Sequence, residues 1–126
     1  MAYIVIVDDS PVNALPLGRL LKYSGHEVEC LLRSGGAVET FREHKPDLVL
    51  LDVGMPDVDG IELLEKIRGD DQVSDVKVIM YSALSDPRVM DRAAELGATD
   101  YLLKGGGWEE LLHRIESHLP GDVHRH

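Results

Sequence analysis

Side chains able to do chemistry stand directly behind four short apolar runs. Asp8 and Asp9 follow Tyr3-Ile4-Val5-Ile6-Val7, Asp52 follows Leu48-Val49-Leu50-Leu51, Ser82 follows Val76 to Tyr81, and Lys104 follows Tyr101-Leu102-Leu103. A carboxylate can act as a nucleophile and form an acyl intermediate. Carboxylates crowded together repel one another and raise a carboxyl pKa unless a hard divalent cation joins them. Magnesium suits such a set, because it takes oxygen ligands and is held by few carboxylates. Each residue alone has an ordinary reading: an acidic pair before a helix is commonly a dipole partner, Asp52 an Asx-turn former, Ser82 a turn residue and Lys104 a solvated cation. Their recurrence at the same place in successive runs argues for a site.

That argument requires elements that carry all of these residues to one edge. Leu48 to Leu51 ends abruptly in an acid, the pattern of a strand buried on both faces, and Gly54, Pro56 and Asp59-Gly60 behind it punctuate a loop. Asp52 therefore belongs at the carboxyl end of a central strand, where open α/β sheets bind ligands. Tyr3 to Val7 predicts a first strand. Ser10-Pro11 supplies an N-cap and a proline at the first helical position, opening a helix to about Ser24 that Pro16 should kink or delay and Gly25 ends. Glu27 to Leu32 predicts a second strand with Cys30 as a buried thiol, and Ala37 to His44 a short helix facing inward with Val38 and Phe41. Ile61, Leu64 and Ile67 predict an amphipathic helix ending near Gly69, and Asp70 to Asp75 a polar loop. A strand over Val76 to Tyr81 is followed by a helix opened by Ser85-Asp86-Pro87, carrying Val89, Ala93 and Leu96 inward and closed by Gly97. Tyr101 to Leu103 is a last strand and Trp108 to Leu119 a last helix. Five strands alternating with five helices, joined by crossover-length connections, predict an α/β fold: a doubly wound parallel sheet with helices on both faces.

Composition narrows the function. The 126 residues suit one domain, expected over 1–120 with a disordered tail over 121–126, and 44% hydrophobic against 29% charged residues is ordinary for a globular protein. Thirteen basic against 23 acidic residues give a formal charge of -10 and no basic cluster, which argues against direct nucleic-acid binding. Cys30 is the only cysteine, so no disulfide framework or thiolate metal site is available. No apolar run approaches the ~18 residues of a membrane span, and a cytoplasmic location is expected.

The ordered set Val7-Asp8-Asp9-Ser10, Leu51-Asp52 with Met55-Pro56 and Asp59-Gly60, Ser82-Ala83, Gly97-Ala98, and Tyr101 three residues before Lys104 resembles the receiver domain of two-component response regulators. That family includes the single-domain chemotaxis regulator, and the resemblance runs from residue 3 to about 119. It implies a flavodoxin-like sheet of order 2-1-3-4-5. It also implies magnesium-dependent transfer of a phosphoryl group from a phosphohistidine, on a sensor histidine kinase or phosphotransfer protein, onto Asp52. By the same resemblance Asp9, Asp52 and the Gly54 carbonyl ligate the magnesium directly and Asp8 through water, while Lys104 and Ser82 contact phosphoryl oxygens. Tyr101 is the implied switch residue, turning inward when Ser82 moves and reshaping a surface for a downstream effector. The chain would then be no enzyme beyond catalysing its own phosphorylation and dephosphorylation.

Two features depart from the family: Pro16 lies inside the first helix, and Gly105 stands where a proline usually follows the lysine, opening Gly105-Gly106-Gly107. A cis bond before glycine is improbable, so a rearranged loop is expected there. Leu84, two past Ser82, is expected to gate water at the acyl phosphate. An aspartate-nucleophile phosphatase of the haloacid dehalogenase type would need a second acid two residues after Asp52, where Gly54 stands. A degenerate, phosphorylation-independent binding module would not need the acids, hydroxyl and lysine that are all present.

Overall fold

The computed structural model describes residues 2–54, 60–83 and 85–119. Met55-Pro56, Asp59, Leu84 and the tail over 121–126 lie outside the described residues. In chain order the elements are β1 (Tyr3–Val7), α1 (Pro11–Tyr23), β2 (Glu27–Leu31), α2 (Ala37–Glu43), β3 (Leu48–Leu51), α3 (Gly60–Arg68), β4 (Lys77–Ser82), α4 (Pro87–Glu95), β5 (Asp100–Leu103) and α5 (Trp108–Ser117). The strands form one parallel sheet of order β2-β1-β3-β4-β5, as the resemblance implies. Among the described residues no helix is long and apolar enough to cross a membrane.

Strand alternation sorts the core into two layers. Val5, Val7, Val49, Leu51, Val78 and Met80 face α2, α3 and α4 on one side. Ile4, Ile6, Leu48, Leu50, Ile79 and Leu102 face α1 and α5 on the other. Central β3 is buried at all four positions, whereas edge strand β2 has no fully buried residue. Cys30 is accordingly only half-buried, its thiol facing the Ala14 carbonyl at 3.6 Å, because an edge strand has one neighbour and a partly open face.

The structure corrects several sequence expectations. The α1 helix starts at Pro11 and continues through Pro16, so it is not delayed. Ser10 occupies its N-cap without a side-chain bond, and instead its N–H donates to Asp8 Oδ1 at 2.9 Å. On α3 the buried positions are Gly60, Leu63, Leu64 and Ile67, with Ile61 only half-buried. A period of 3.6 carries the inward face along i, i+3, i+4 and i+7, while a strict three-residue repeat drifts off it. On α2 the fully buried pair is Ala37 and Phe41, four apart, and Val38 packs half-buried against the same layer. Val73, inside the expected polar loop, is fully buried against the α2–α4 layer. Ser82 is the last residue of β4 rather than the first beyond it.

Arg68 closes α3 with hydrogen bonds to backbone carbonyls. Its Nε and Nη2 donate to the Gly97 carbonyl at 3.0 and 2.8 Å, and its Nη1 to the carbonyls of Ser74 and Val76 at 3.0 and 2.6 Å. One guanidinium thereby ties α3 to the connection into β4 and to the turn behind α4. A lysine cannot reproduce that planar fork. Arg68→Lys should cost about 2 kcal/mol, since it leaves part-buried carbonyls short of donors. Urea denaturation would measure this, and a change below about 0.5 kcal/mol would refute the stapling role.

Candidate functional site

Parallel pairing brings the sequence-predicted residues to one edge and also fixes their backbones. Asp8 N–H donates to the Leu31 carbonyl at 3.0 Å, Asp52 N–H to Val7 at 3.0 Å and Lys104 N–H to Ser82 at 2.8 Å. Each residue lies just past its strand yet remains bonded to the strand beside it. This placement satisfies the backbone donor and aims the side chain off the sheet edge at a set height.

Asp8, Asp9 and Asp52 each offer a carboxylate oxygen, and these oxygens lie within 4.8 Å of one another, a spacing that could hold a metal ion. The three are not equivalent. Asp8 is 3% exposed, and its two oxygens already accept from Ser10 N–H and from Lys104 Nζ at 3.1 Å. Asp9 is exposed and forms no hydrogen bond or ion pair among the described residues. Asp52 is half-buried, with Lys104 Nζ 3.7 Å from Oδ2 and the Gly54 nitrogen 3.3 Å from Oδ1. Burial pushes the Asp52 carboxyl above its usual range; the Gly54 N–H and Lys104 pull it back, while Asp8 and Asp9 push it up again, and the net shift is upward. Such clustering of like charge is what a divalent cation relieves.

Ser82 is 1% exposed and pairs in register with Leu103, which puts its hydroxyl at the same edge. Tyr101, opposite Met80 in β5, is half-buried against the α2–α4 layer. The loop after Lys104 solves the missing-proline problem through backbone angles: no peptide is cis, and Gly105 and Gly107 take φ of +92° and +91°. Only glycine adopts that region without strain.

Two contributions go beyond the sequence reading, which took Gly60 only as a loop residue of the Asp59-Gly60 pair and Tyr81 only as the end of a strand. Gly60 opens α3 directly against the Asp52 backbone, where an added Cβ would lie 2.2 Å from the Asp52 carbonyl oxygen. Tyr81 lies beneath Lys104, whose Nζ is 5.7 Å from the ring centroid. Strand parity offered a signal for Tyr81, because residues 81, 102 and 104 share a face once β4 and β5 pair.

The site is an open edge. A groove of about 450 Å³ between α2 and α3 contains none of these residues. Another, of about 360 Å³ and lined by Val12, Pro16, Tyr81, Gly105 and Trp108, adjoins the site through Tyr81 and the glycine loop.

A family model described as Response regulator receiver domain matches residues 4–116. Protein PilH of Pseudomonas aeruginosa is 35% identical over 121 residues, covering 96% of this chain and 100% of that protein. The transcriptional regulatory protein KdpE of Mycobacterium tuberculosis is 34% identical over 117 residues, covering 93% of this chain, which spans only 50% of that relative's length. Among solved structures, the Vibrio cholerae chemotaxis protein CheY4 superposes with a TM-score of 0.88 at 27% identity, covering 94% of this chain and 99% of that one.

Proposed function

This chain belongs to the response regulator receiver domain family, and from that premise we propose that Asp52 is a phosphoacceptor whose modification switches a protein-binding surface. The observation that carries the reading is the convergence of Asp8, Asp9, Asp52 and Lys104 at the carboxyl edge of the sheet, with carboxylate oxygens within 4.8 Å and Lys104 Nζ 3.1 and 3.7 Å from Asp8 and Asp52. An Asp52 oxygen attacks phosphorus, and the bond from phosphorus to the imidazole nitrogen of a phosphohistidine breaks; the imidazole leaves with that electron pair and takes up a proton. The donor is a sensor histidine kinase or a histidine phosphotransfer protein. Phosphoryl transfer asks mainly for positioning and charge stabilisation. Lys104 supplies a fixed positive charge to one phosphoryl oxygen, and the Ser82 hydroxyl donates to another. Asp8, Asp9, Asp52 and the Gly54 carbonyl would hold magnesium, which when bound neutralises the crowded carboxylates and the incoming phosphoryl charge. Tyr101 responds to the displacement of Ser82 and alters the face around α4, β5 and α5 that a downstream effector reads, a two-state element biased by new charge. The chain acts in the cytoplasm and catalyses only its own phosphorylation and dephosphorylation.

Labelling with a small phosphodonor, with and without magnesium, tests the reading. Magnesium-dependent label that persists on the protein is expected. Unlimited turnover of donor would favour a phosphatase, and absence of label a binding module. A second arm follows from the unequal partners of the two acids: Asp9→Asn should weaken magnesium binding more than Asp8→Asn, by about tenfold in a calorimetric titration. A larger loss at Asp8 would reverse the assignment.

A further inference from the structure

Lys104 must hold its ammonium steady over Asp52 at the end of a four-carbon stem, yet the chain that follows it gives no support. Gly105, Gly106 and Gly107 carry no side chains, and nothing lies within 4 Å of where a Cβ on Gly105 or Gly107 would be. A lysine fixed in one geometry loses much of its rotamer freedom, so an unsupported stem would sample conformations away from the carboxylates. The wall it rests against is provided from the neighbouring strand. Tyr81 pairs in register with Leu102, and Lys104 lies two residues beyond Leu102, so strand alternation puts the ring and the lysine stem on the same face of the sheet. The ring is half-buried against the α1/α5 layer and shares a groove with Trp108. Lys104 Nζ lies 5.7 Å from its centroid, inside the range of a cation–π contact, while reaching Asp8 at 3.1 Å and Asp52 at 3.7 Å. With its side chain 19% exposed, the ammonium is largely withdrawn from water, which strengthens an interaction with a ring face.

We propose that Tyr81 is a positioning residue for phosphoryl transfer: its ring face, and not its hydroxyl, holds the Lys104 ammonium toward Asp8 and Asp52 in place of support from the glycine loop. The inference rests on the phosphoacceptor reading of Asp52. It assigns to a residue outside the acid–serine–lysine set the task of keeping the cation aimed, and it makes the ring the determinant.

Two measurements on the full chain test it. The first is the rate of Asp52 labelling by acetyl phosphate at saturating magnesium. Tyr81→Leu is expected to slow labelling about tenfold, while Tyr81→Phe stays within twofold of wild type. The second is independent of phosphorylation: the Lys104 ε-methylene protons should be shifted upfield by the ring in wild type and Tyr81→Phe, and lie at the ordinary lysine position in Tyr81→Leu. Wild-type labelling by Tyr81→Leu, equal slowing in Tyr81→Phe and Tyr81→Leu, or absence of the upfield shift in wild type would each overturn the proposal. If Tyr81→Leu fails to fold, the wild-type shift and the Tyr81→Phe rate still decide. Wild-type protein that labels without the shift refutes Tyr81 alone. Wild-type protein that shows the shift and takes no label refutes the phosphoacceptor reading, and the role given to Tyr81 falls with it.

Discussion

Asp52→Asn should remain folded and take up no acid-stable, hydroxylamine-sensitive phosphate, a loss of at least ~100-fold in labelling. The amide has no anionic oxygen to attack phosphorus, and neither Asp8 nor Asp9 is placed to substitute. Asp8 is held by Ser10 N–H and Lys104, and Asp9 stands on the exposed side of the cluster. The same substitution should raise stability when divalent cations are absent. Burial, Asp8 and Asp9 hold the Asp52 carboxyl above its ordinary range despite Gly54 and Lys104. Between the unfolded value near 4 and that raised value, the native state binds more protons than the unfolded state, so stability falls as pH rises through the window. Asparagine stays neutral and escapes the penalty. Scanning calorimetry at pH 7 in chelator should show Asp52→Asn melting above wild type, with the gap closing as pH is lowered toward ~4. Undiminished labelling would remove Asp52 from its role; a lower midpoint for the variant would remove the charge argument.

Gly60→Ala should be the most damaging methyl group that can be added to this chain near its site. The new Cβ would fall 2.2 Å from the Asp52 carbonyl oxygen, 2.8 Å from Val53 Cα and 2.9 Å from the Asp52 carbonyl carbon. These are backbone atoms and cannot swing aside as a side chain would. Gly60 N–H also donates to the Val53 carbonyl at 3.0 Å, so α3 cannot back away without breaking its tie to the end of β3. Relief requires α3 or the Asp52 backbone to move. We expect a loss of about 3 kcal/mol, a fall of roughly 10 °C in melting temperature, together with weakened phosphorylation from a displaced Asp52. Gly54→Ala is the control, since nothing lies within 4 Å of its Cβ position and its backbone is not in the left-handed region; it should stay within about 0.5 kcal/mol of wild type. Equal stability of the two variants would show that close approach at Gly60 does not constrain the site.

Much of this protein is set locally. Apolar runs ending in Asp8 and Asp52 are strands because near-unbroken burial leaves no polar side chain to interrupt them, while the run before Lys104 is a partly buried edge strand, and all three polar tips emerge where the sheet ends. Their alternation with helices requires parallel crossovers, so the tips share one edge before any contact is known. That is why Asp8, Asp9, Asp52, Ser82 and Lys104 could all be named from residue order, whereas the order of the strands was implied only by the family resemblance. Tertiary structure decided which partner each group meets. The unequal surroundings of Asp8 and Asp9 arise because Lys104, 96 residues from Asp8 in the chain, reaches the first and leaves the second open. Whether Gly60 punctuates a loop or admits a helix against Asp52 depends on a distance across two elements. The inward face of α3, the fork of Arg68 into carbonyls of Ser74, Val76 and Gly97, and the ring of Tyr81 beneath Lys104 depend likewise on packing angles. Periodicity sets which residues are apolar. The close approach of one element to another, a matter of ångströms, decides which of them touch.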